Sequence, residues 1–124
     1  MKTPVLLIIF LAVSTVFAAP PVIAHGSDVP MHGGVVQIEQ EMEFELVREE
    51  KSVSLYLREH GKAYLTKEVT GDIVVLANGK KSDAQLVAAG ENKMTADIVI
   101  PEGAKVLVKV KESGHHGVTV RFSF

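Results

Sequence analysis

The chain has 124 residues, with 13 basic and 15 acidic side chains and a net charge of −2. That length makes one compact domain, and mild acidity of mixed sign argues against nucleic acid as a partner. Tryptophan is absent and other aromatics are few, so a base-stacking or sugar-stacking platform is excluded as well.

Lys2 precedes an apolar run over residues 5–13, and Ser14 and Thr15 then lead into Val16, Phe17 and Ala18. This is the charged, apolar and small-residue order of a secretory signal, and the run is too short to span a bilayer. Small residues at −3 and −1 allow cleavage after Ala18 or after Ala24. The first lies at the usual distance from the run, so residues 1–18 are assigned to the signal peptide, with 24 as the alternative end. The mature protein is expected to be exported and soluble, with no membrane insertion. Cutting after Ala24 would make His25 the amino terminus, and its amine and imidazole together would chelate Cu(II). No cysteine occurs, so lipid attachment, disulfides and thiolate metal sites are all excluded.

Residues 19–34 are rich in proline and glycine, lack periodicity, and read as a flexible leader. From Val35 the apolar pattern has period two, the mark of half-buried strands. A strand over 35–39 pairs as a hairpin with one over 42–47, where Met42, Phe44 and Leu46 alternate with Glu43 and Glu45. Those two carboxylates are assigned to the wet face. Val53, Leu55 and Leu57 begin the next strand, and a short one is required near 63–65. Asn78-Gly79 is a hairpin turn, residues 83–90 read as strand, and alternation resumes from Met94, Val106 and Val118. Turns every ten to twelve residues predict an all-β domain over 35–124. The expected architecture is a single antiparallel β-sandwich of seven to nine strands, immunoglobulin-like without its disulfide or tryptophan.

Candidate chemistry rests on five histidines: His25 and His32 in the leader, His60 in a turn, and His115-His116 in the last turn. None sits on an apolar strand face. Met31 and His32 give adjacent thioether and imidazole donors, with Gly33-Gly34 allowing a tight backbone wrap. The candidate metal ligands are therefore Met31, His25, His32, His60, His115 and His116. Imidazole with thioether suits copper, and imidazole with carboxylate suits zinc. Counting alternate strands places His115 and His116 at the end where the leader enters, beside His32, with His60 at the opposite end. No nucleophile elbow, phosphate loop or paired zinc-protease histidines occur, so no enzyme is expected.

Three segments carry a resemblance: His32-Gly33-Gly34-Val35-Val36, then Phe44-Glu45-Leu46-Val47, then residues 55–62, which end in His60-Gly61-Lys62. Together they resemble small periplasmic proteins associated with heavy-metal efflux, and a domain near the amino end of the membrane-fusion (adaptor) subunits of such systems. The resemblance implies a β fold, a periplasmic location, a role near copper, zinc, cobalt or cadmium export, and His32 and His60 as site residues. No coiled-coil hairpin or lipoyl-like segment accompanies it here, so the implied role is an accessory one. The expected function is to capture or buffer copper or zinc, with an efflux adaptor or other envelope protein as partner. The alternative is a metal-free interaction module that docks on an envelope partner through its strand edges.

Overall fold

The computed structural model describes residues 28–124; the proposed signal, both cleavage sites and His25 lie outside them. The described strands are β1 (Val35–Glu39), β2 (Met42–Arg48), β3 (Val53–Glu59), β4 (Lys62–Ala63) and β5 (Val69–Ala77), then β6 (Lys80–Ala88), β7 (Lys93–Ala96), β8 (Lys105–Glu112) and β9 (Val118–Ser123). Every pairing is antiparallel, and no helix occurs among the described residues. None, therefore, is long and apolar enough to cross a membrane.

Period-two alternation gives each strand one dry face but leaves open whether two sheets face each other or one curls on itself. Here one nine-stranded sheet, in the order β1-β2-β3-β7-β6-β5-β8-β9 with β4 appended to β3, curls until β1 lies against β9. β6 makes the corner. From Lys80 to Leu86 it pairs with β5, and at Val87 and Ala88 it pairs with β7. The two layers expected of an immunoglobulin-like sandwich are thus joined into a near-barrel.

Its interior is filled by the alternating apolar set, including Phe44, Leu55, Ile73, Met94, Val108 and Phe122, all at most 2% exposed. Each such side chain contributes on the order of 1.5–3 kcal/mol. The Asn78-Gly79 turn forms as its sequence demands, with φ of 53° and 72°.

β4 decides which loops share an end. It is two residues long and does not cross the barrel. After it the chain folds back, Tyr64 N–H bonding the Leu57 carbonyl, and β5 starts at Val69 opposite Glu112. One crossing is lost, so every later turn sits at the other end from the one the strand count gave.

Candidate metal centre

β2 is buried on both faces. Phe44 and Leu46 enter the core, whereas Glu43 and Glu45, expected to be solvated, are 1% and 0% exposed. The cover is the chain just before β1. Residues 29–34 run as a strap across the outward side of β2 and β3 and then turn into β1.

Glu45 holds the strap. Its Oε1 accepts from the backbone N–H of His32 at 2.6 Å and of Gly34 at 3.1 Å. Its Oε2 accepts from the Met31 N–H at 3.1 Å and from His32 Nδ1 at 2.9 Å. Burial pushes the Glu45 carboxyl up, but the His32 ring and the three backbone donors outweigh it and hold the group below its ordinary 4.5. Glu45 is therefore ionised at neutral pH and can only accept, so His32 Nδ1 must carry a proton. In the neutral ring this leaves the lone pair on Nε2.

The second restraint on His32 is Tyr56, which stands opposite Glu45 on β3. The two rings stack with centroids 3.6 Å apart and planes within 3°. The His32 side chain remains 39% exposed. Bonded at one nitrogen and packed on one face, the ring is held in one orientation.

Glycine is required where the strap meets β2. A Cβ on Gly34 would lie 2.6 Å from the Leu46 carbonyl oxygen, inside any permitted contact. Farther along, Arg58 Nη2 donates to the Val29 carbonyl at 3.3 Å. Arg58 Nε lies 3.2 Å from Glu43 Oε2, an ion pair without hydrogen-bond alignment, with both side chains buried.

The other candidates sit elsewhere. His60 occupies the β3–β4 turn with its Nε2 3.9 Å from Glu41. His115 and His116 line a cavity of about 500 Å³ at the barrel's end, with Gln40, Met42, Glu59 and Tyr64. That is the His60 end, so the predicted grouping of His115 and His116 with His32 is reversed by the lost crossing at β4. Tyr64 donates to Glu112, which, with burial, pushes the phenol up to about 12. Glu112 also lies 3.9 Å from His115 Nε2. Met31 lies in the strap and is 67% exposed. Among the described residues no three His, Asp or Glu side chains gather as a metal-binding group.

Comparison with protein-family models, curated proteins and solved structures found no match. Sequence reasoning missed Glu45, Tyr56, Glu43 and Arg58 as parts of this site. The available signal was a glycine pair leading into a hairpin whose second strand carries two carboxylates.

Proposed function

We propose that this is a periplasmic metal-binding accessory protein that captures copper or zinc and passes it on within an efflux or resistance pathway. The observation that carries this reading is the Glu45–His32 contact. A carboxylate that accepts a hydrogen bond from the Nδ1–H of an imidazole fixes its tautomer and raises the basicity of Nε2, as supporting carboxylates do behind metal-ligating histidines. Met31, next in the chain, adds a thioether that favours copper over zinc. The ion is cargo. Few protein donors at the strap suit release to a partner better than storage.

Affinity for Cu(I), Cu(II) and Zn(II), measured against a competing chelator, tests the reading. His32→Ala is expected to abolish retention of one ion. Glu45→Gln is expected to weaken it ~10–100-fold, the usual loss when a supporting partner is removed. A double His115→Ala/His116→Ala variant should retain the ion. Equal retention by wild type and His32→Ala would overturn the reading.

A further inference from the structure

Strands β6, β5, β8 and β9 turn outward a face that no described residue covers. Across the register, Lys81, Leu76, Lys105 and Ser123 form one row, and Asp83, Val74, Leu107 and Arg121 form the next. Lys109 and Lys111 continue along β8, both exposed. Leu76 is 52% exposed. With Val74 and Leu107 it forms the floor of a groove of about 310 Å³, flanked by Lys105 and Arg121. Among the described residues, none of Lys81, Lys105, Lys109, Lys111 and Arg121 makes an ion pair. Asp72 and Asp83 are the carboxylates these rows place among them. The chain as a whole carries −2, so this face is a local excess of positive charge on an acidic protein.

We infer that this face docks on an anionic phospholipid surface. Its composition favours lipid over a protein partner. Protein interfaces are depleted in lysine and rich in aromatics and arginine, whereas four of these five cations are lysines and no aromatic side chain is exposed among them. Four strands about 4.8 Å apart give a patch only roughly 15 Å across. A stable protein interface needs about 800 Å² from each partner. A membrane needs no such fit. Lysine stems lie along aliphatic neighbours while their ammonium groups meet phosphates, and Leu76 and Leu107 reach the headgroup boundary. Each cation near an anionic leaflet raises the partition about fivefold.

The test is sedimentation of the full chain with phosphatidylcholine vesicles, with and without phosphatidylglycerol. It compares wild type with the K81Q/K105Q/R121Q variant, whose fold is checked by circular dichroism. Both proteins share the same amino end, so their difference reads the face alone. The wild type should prefer the anionic vesicles, and salt should erase the preference as the Debye length falls to ~3 Å near 1 M. The triple variant should bind those vesicles about 100-fold more weakly, from about fivefold per cation. Equal binding of wild type to both vesicles, or of both proteins to anionic vesicles, would overturn the proposal and assign the face to an acidic protein partner. Retention of metal by the triple variant is measured separately, so failure here is distinguishable from failure of the metal reading.

Discussion

The two outward sides of the barrel handle charge in opposite ways. On β2–β3 the charged groups are buried beneath the strap and spent on internal contacts: Glu45 on four donors, Glu43 on Arg58, and Arg58 also on the Val29 carbonyl. On β6-β5-β8-β9 the cations stand exposed without ion-pair partners among the described residues, around apolar side chains that remain wet. Both sides come from the same alternation of apolar and polar residues. What separates them is whether another segment of the chain lies on top. The covered side is built for position, and the bare side is left for encounter.

Substitutions should respect that division. The largest effect is expected from Arg58→Leu, which takes from buried Glu43 the guanidinium 3.2 Å away under the strap and should cost about 3–5 kcal/mol in denaturant unfolding. Adding Glu43→Leu should recover most of the loss, because the buried pair is then replaced by apolar volume. If the double variant is no better than the single, packing rather than charge governs that spot.

Glu45→Ala is expected next, at about 2 kcal/mol, since three backbone donors and an imidazole lose a charged acceptor. Amide exchange at residues 31–34 should accelerate more than in the core. Acid should act in the same way. The folded Glu45 sits below its ordinary 4.5, so the stability it lends is present above that value and fades as pH falls through the lower folded one. Strap release below about pH 4.5, absent in Glu45→Ala, is the expected signature. The smallest effect is expected on the bare side, where Leu76→Ser should change stability by no more than ~0.5 kcal/mol.

Much of this fold was legible in the residues. The β1–β2 hairpin and the Asn78-Gly79 turn follow directly from alternation and turn chemistry, and residues 83–90, read as strand without alternation to support it, fall largely in β6. Curling into one sheet was not, because period two states which side of a strand is dry and says nothing of what closes it. The end at which His115 and His116 sit hinged on whether residues 62–65 cross the barrel, and two paired residues do not. Glu43 and Glu45 were misplaced for a simpler reason. A carboxylate alternating with apolar residues looks the same whether water or another stretch of backbone lies over it. His32 was singled out by its donor chemistry and its glycine neighbours, while its contact with Glu45 depends on where the chain before β1 returns.

The closure of the sheet has a consequence for ion binding. β1 and β9 touch, yet no hydrogen-bond ladder joins them. Like β9 on β8, β1 is therefore a stave fastened along one side alone, to β2. The strap runs directly into it, and the same Glu45 that orients His32 also anchors the Gly34 amide one residue before that stave begins. A ligand that binds only the closed form stabilises it by mass action. Under the proposed function, an ion on His32 would thus steady one edge of that seam, and cargo loading would be read as a quieter edge strand some distance from the ion itself.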